Sequence, residues 1–292
     1  MVSLSFSTEF RWNSWHHSSE VLVYELKNEA LVVSVLDPVA DRDRLGTRYC
    51  TGGYIFQVAD ADLGDLMSGP TYPDDFNAYD GQGIPDAFNR GTLSSPDTST
   101  KLVIGIGICD LEADEVTEFC SWDVQSSDSS IAMTTSHVHG PHALDLERTI
   151  TLRSRTLRSS TFVRNTGKRP IPLNWFPHPF YPHTDNTDEL CRLNVQVSFP
   201  DNDGFEWADS GFISRKHWPW EKGHYQALDH HAQANLVVQQ KHPKLGLVGA
   251  TFSYVPDFFP IWGNTRTFSW EPFYERTLAP GQTTTWWIDY QF

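Results

Sequence analysis

The feature that most constrains this chain is a two-residue alternation that recurs in short runs and never gives way to a helical period. Thr149, Thr151 and Arg153 alternate with Ile150 and Leu152, the pattern of a strand with one buried face. Strand-like runs recur at 30–36, 54–59, 101–109, 190–199, 234–239 and 245–254, and the closing TTTWWIDYQF has strong strand propensity. Turn chemistry separates them, as in Asn165-Thr166-Gly167 and Leu278-Ala279-Pro280-Gly281, and the 18 Pro and 19 Gly are scattered as punctuation. Half-buried strands must cover one another's apolar faces, so the expected class is an all-β sandwich. Simple division of 292 residues suggests two domains, yet all-β units often reach this length, and 1–292 is expected to be one. No internal repeat is visible.

A core is easily supplied, since 39% of residues are hydrophobic and there are 11 Trp and 18 Phe. The formal charge of −15 disfavours nucleic acid and anionic membrane as partners, and favours a neutral ligand. Cys50, Cys109, Cys120 and Cys191 lack zinc-site spacing and sit in apolar or strand contexts, as reduced core thiols do. No apolar run reaches membrane length, the N-terminus lacks the layout of a signal peptide, and there is no N-glycosylation sequon. A cytoplasmic location is expected.

Two side chains stand out chemically. His178 is bracketed by Phe176, Pro177, Pro179 and Phe180, so its backbone is restricted on both sides. The segment alone leaves it either a catalytic imidazole or a histidine packed under a loop. Glu271 lies between Trp270 and Pro272, with Phe273 and Tyr274 following, and a carboxylate in such company is costly unless paired or used. The NTG…P…HPF run, followed by E-P…LAPG and a terminal strand, resembles the aldose 1-epimerase (galactose mutarotase-like) superfamily. GTRYCTGGYIFQVAD and KLVIGIGICDLE are similar to its early strand–turn–strand and one of its middle strands, so the likeness spans most of 20–292.

The resemblance implies a β-supersandwich of large antiparallel sheets with a concave carbohydrate-binding face. It implies an isomerase that interconverts the α and β anomers of an aldose, or a hexose-phosphate variant, acting on a small sugar or sugar phosphate as a monomer or weak homodimer. Opening the ring requires a base for the anomeric hydroxyl proton and an acid for the ring oxygen, with no metal or cofactor. In the resemblance Glu271 is the base and His178 the acid, and a ring-sized gap between them is expected. Better-known members carry a second histidine upstream. The matching region here, YDGQGIPDAFNRG, has none, and Asp86, Asn89 or Arg90 could supply a polar contact instead. Arg48 matches an arginine common in the superfamily and is a candidate substrate contact, beside a plainer reading as a surface ion pair.

Further candidates are weaker. His183 and Asp185 could line the sugar site or, with His178, approach a metal, although turn-rich loops collect such residues without any ligand. Trp175, Trp262 and Trp270 could offer flat faces to a pyranose, while most of the 11 Trp must be core. In SHVHGPHALDLE, His137 and His139 alternate as cupin metal ligands would, with Glu147 beyond, but a solvated loop is the expected reading. The glycines of GIGIC fit a strand closely approached by another backbone rather than a nucleotide loop. A non-catalytic sugar-binding protein on the same fold is the alternative class, and a metal-dependent cupin-like enzyme a more distant one.

Overall fold

A computed structural model describes residues 23–292 except 41, 69–81, 89, 91–92, 96–97, 217–222 and 232. Among the described residues every strand pairing is antiparallel, and the only α-helix is the four-residue Arg42–Leu45. The largest sheet has ten strands and is built around Ser130–His139, His142–Arg153, Thr156–Asn165 and Thr283–Gln291. Their alternation is strict: Leu144, Leu146, Ile150 and Leu152 point inward, as do Trp286, Ile288 and Tyr290. A one-residue slip would turn either set to solvent, so burial holds this register.

Two smaller sheets carry the site. One has five strands, including Tyr181–Pro182, Thr267–Trp270, Phe259–Gly263 and His224–His230; the other has three, Tyr274–Leu278, Ile171–Pro177 and Asp86–Phe88. Buried aromatics join them to the large sheet. Trp286 stacks on Tyr274 at 4.6 Å and meets Trp175 at 5.2 Å, while Trp270 stacks on Tyr290 at 6.1 Å. Trp175 and Trp270 are 1% and 0% exposed, so the expectation that either faces a sugar is corrected: both are core. Alternation gives the reason, because Trp175 and Trp270 point inward where their successors Phe176 and Glu271 point away.

Two sequence expectations change. The run 101–109 is a hairpin, Lys101–Val103 against Gly107–Asp110, turning through Ile104-Gly105-Ile106 with Gly105 at φ +76°. A Cβ there would lie 2.3 Å from Cys50 Sγ, so the position requires glycine. His137 and His139 lie on a strand rather than a solvated loop. His137 is buried, accepts a hydrogen bond from Gly105 N at 3.0 Å, and is pushed down to about 4 by burial. His139 meets the Thr100 carbonyl at 3.2 Å, and no group of three or more His, Cys, Asp or Glu positioned for a metal occurs among the described residues. No helix among them is long and apolar enough to cross a membrane.

Candidate active site

His178 and Glu271 meet. Ile171–Pro177 pairs with Tyr274–Leu278 so that Asn174 faces Glu275 and Trp175 faces Tyr274. Counting on in that register sets Phe176 opposite Phe273 and His178 opposite Glu271. The side chains agree, with Phe176 and Phe273 stacked at 4.4 Å and His178 Nε2 3.1 Å from Glu271 Oε1. The pair therefore converges, but in direct contact rather than across the ring-sized gap expected from the chemistry.

Backbone hydrogen bonds lock both residues. His178 N donates to the Pro85 carbonyl at 2.9 Å and Phe180 N to that of Gly83 at 2.8 Å. Glu271 N donates to the Pro260 carbonyl at 2.9 Å, and the Tyr254 hydroxyl holds the next carbonyl, that of Pro272, at 2.8 Å. The imidazole is caged by aromatic rings: Phe180 stacks on it at 4.3 Å, and Trp262 and Tyr49 meet it edge-on at 5.7 and 6.2 Å.

Burial decides the protonation state. His178 is 3% exposed and Glu271 7%, and each charged form is disfavoured away from water. Burial pushes Glu271 up to about 8, against an opposing pull from the Arg48 charge. Burial, with Arg48 adding to it, holds His178 well below its ordinary value. Both shifts favour the neutral forms, with the proton on the carboxyl and Nε2 able to accept it. The pair holds one transferable proton, and His178 Nδ1 has no hydrogen-bond partner.

Arg48 is the cation of this site. It is half-buried, lies over the Tyr49 ring at 5.2 Å, and its Nε is buried without a partner, an arginine donor poised for an oxygen ligand. Tyr49 is pushed up to about 12, mainly by burial, with Glu271 contributing and Arg48 opposing. The exposed Tyr225, opposite Trp262 on the neighbouring strand, is also raised by burial and then by Glu271.

The remaining candidates sit elsewhere. Asp86 is 4% exposed, and its carboxylate is held by Arg148, which also donates to Thr161 Oγ1 and to Ser159 Oγ. Its expected sugar contact is thus replaced by a buried ion pair, because the full charge of Arg148 inside the core requires a partner. Arg90 pairs with Asp114 at 2.7 Å, and Asn89 lies outside the described residues. His183 Nε2 donates to the Asn264 carbonyl at 2.8 Å, and burial pushes it down to about 4; Asp185 is exposed. Tyr49 and Phe180 were not singled out by sequence, although each lies within two residues of one that was. Of the three tryptophans considered, it is Trp262 that reaches His178.

No protein-family model matches the chain, and no curated protein sequence matches it either. Solved structures do. A galactose mutarotase related enzyme from Lactobacillus acidophilus superposes with a TM-score of 0.60 at 12% identity, covering 92% of this chain and 96% of that one. A galactose mutarotase-like protein from Lactobacillus casei gives 0.56 at 14% identity, covering 92% and 99%. An aldose epimerase homologue from C. elegans gives 0.53 at 13% identity, covering 92% and 98%. The fold is therefore that of the galactose mutarotase-like proteins.

Proposed function

We propose that this chain is a carbohydrate mutarotase that opens and recloses the hemiacetal ring of an aldose through His178 and Glu271. The observation that carries the reading is the buried contact between one imidazole and one carboxyl, 3.1 Å apart, His178 just past Ile171–Pro177 and Glu271 just past Thr267–Trp270. The anomeric hydroxyl and the ring oxygen are bonded to the same carbon, so the two groups that exchange protons with them must be neighbours. A sugar that enters replaces the His178–Glu271 hydrogen bond with one contact to each oxygen. One group removes the hydroxyl proton as the other protonates the ring oxygen. The C1–O5 bond breaks, rotation about C1–C2 presents the other face of the aldehyde, and the reverse transfers reclose the ring.

The resemblance casts Glu271 as base and His178 as acid, which requires the proton to reside on His178 when the sugar is bound. Arg48 acts on both halves of that distribution: its charge stabilises the Glu271 carboxylate and disfavours the protonated His178, so the entering sugar's own oxygens must supply the rest. The unpartnered Arg48 Nε also offers a donor to a sugar hydroxyl. Phe180 and Trp262 hold the imidazole plane, and the cage they form with Tyr49 excludes water. Each positioned acid or base contributes about 10²–10⁴-fold. Polarimetry on freshly dissolved α-anomers of common aldoses tests the reading. Acceleration above the buffer rate supports it, whereas sugar binding with no acceleration would make the chain a binding protein.

A further inference from the structure

The catalytic pair is the last row of a longer face. His178 and Glu271 lie just past the ends of Ile171–Pro177 and Tyr274–Leu278, and three more rows run outward from them: Phe176 stacked on Phe273, then Asn174 against Glu275 and Pro172 against Thr277. These residues alternate with the buried Leu173, Trp175 and Tyr274, so all of them present one face. Two residues of antiparallel strand advance about 7 Å, roughly the length of one pyranose unit, and the three rows beyond the pair therefore extend about 20 Å.

The rows change character in a useful order. Next to the pair comes an aromatic step: Phe176 and Phe273 are half-buried, and Phe258, 38% exposed, packs on Phe273 at 5.3 Å. Beyond it lies an open groove of about 420 Å³ lined by Pro172, Asn174, Glu275 and Thr277 of these rows and by Leu173, Asp257 and Arg276 beside them. Its polar groups are ordered among themselves. Asn174 Nδ2 donates to Glu275 Oε1 at 2.6 Å, and Asp257 Oδ2 accepts from Glu275 N at 2.9 Å and from Arg276 at 2.8 Å. Rings followed by fixed donors and acceptors suit the apolar faces and hydroxyl edges of a sugar chain. Arg276 and Asp257 offset each other, so Glu275 leaves the groove net negative and an anionic chain is disfavoured.

We infer that the site takes a neutral oligosaccharide reducing end first, with the anomeric unit at His178 and Glu271 and the following units on Phe258/Phe273 and in the Asn174–Glu275 groove. This rests on the mutarotase reading and assigns its substrate class. The test compares kcat/KM for anomer exchange of glucose with maltose and cellobiose, and of galactose with galactobiose. The disaccharide of at least one series is expected to exceed its monosaccharide about tenfold, and Phe258→Ala and Glu275→Ala should each cut that ratio about tenfold. Disaccharides no better than monosaccharides, or a ratio that neither variant moves, would overturn the extended site while leaving monosaccharide mutarotation standing. Turnover of no sugar at all would remove the mutarotase reading, and this inference with it.

Discussion

Replacing Glu271 by glutamine should make the protein more stable, and by an amount that depends on pH. In the folded protein burial raises this carboxyl to about 8, whereas its ordinary value is 4.5. Between those values the folded state binds a proton that the unfolded state has released, so stability falls as pH rises. At pH 7 the unfolded group lies 2.5 units past its titration point, from 7 minus 4.5. At 1.36 kcal/mol per unit, keeping the folded carboxyl protonated costs about 3 kcal/mol. Glutamine never ionises, and its amide can donate to His178 Nε2 as the protonated carboxyl does. Urea unfolding of both proteins from pH 4 to pH 9 isolates the effect, because every other titrating group is common to both. The difference should be small at pH 4, about 3 kcal/mol in favour of Glu271→Gln at pH 7, and level above pH 8. A flat difference, or a variant less stable at pH 7, would mean that Glu271 is ionised in the free protein. The single-proton account of the pair would then be wrong.

Other outcomes follow from the same geometry. Anomer exchange should be steady below pH 8 and fall above it as the pair loses its only proton; Arg48→Ala should move that alkaline limb upward, because Arg48 lowers Glu271. Arg148→Met should destabilise the fold by about 3–5 kcal/mol in urea unfolding, since it strands the buried Asp86 carboxylate, and adding Asp86→Leu should recover most of the loss. Activity should survive EDTA, because both proton transfers are assigned to side chains; loss in chelator restored by zinc or manganese would oppose that assignment.

The sandwich class and the two central side chains were legible because each rests on local pattern. Two-residue alternation marks buried strand faces, and His178 and Glu271 announce themselves as polar groups among prolines and aromatics. What depended on distant partners was not legible. Asp86 looks like a loop carboxylate until Arg148, 62 residues away, is found against it. Which tryptophan reaches His178 depends on which strand face is covered, and composition cannot choose between Trp175, Trp262 and Trp270. The 101–109 hairpin was hidden because its turn is apolar and buried, so it lacks the polar residues by which turns are recognised. The contact between His178 and Glu271 escaped for a related reason. Chemistry demands space for a substrate, whereas the unliganded pair satisfies its own buried donor and acceptor.

The central claim is that His178 and Glu271 together move the protons that open an aldose ring. Exchange NMR on an equilibrated sugar tests it directly, by reading magnetisation transfer between the α and β anomeric protons with catalytic amounts of protein. The native chain should accelerate exchange above the buffer rate, and His178→Asn and Glu271→Gln should each lower that acceleration by about 10² or more. Undiminished exchange in both variants, with the sugar still bound, would place the chemistry elsewhere and contradict the account.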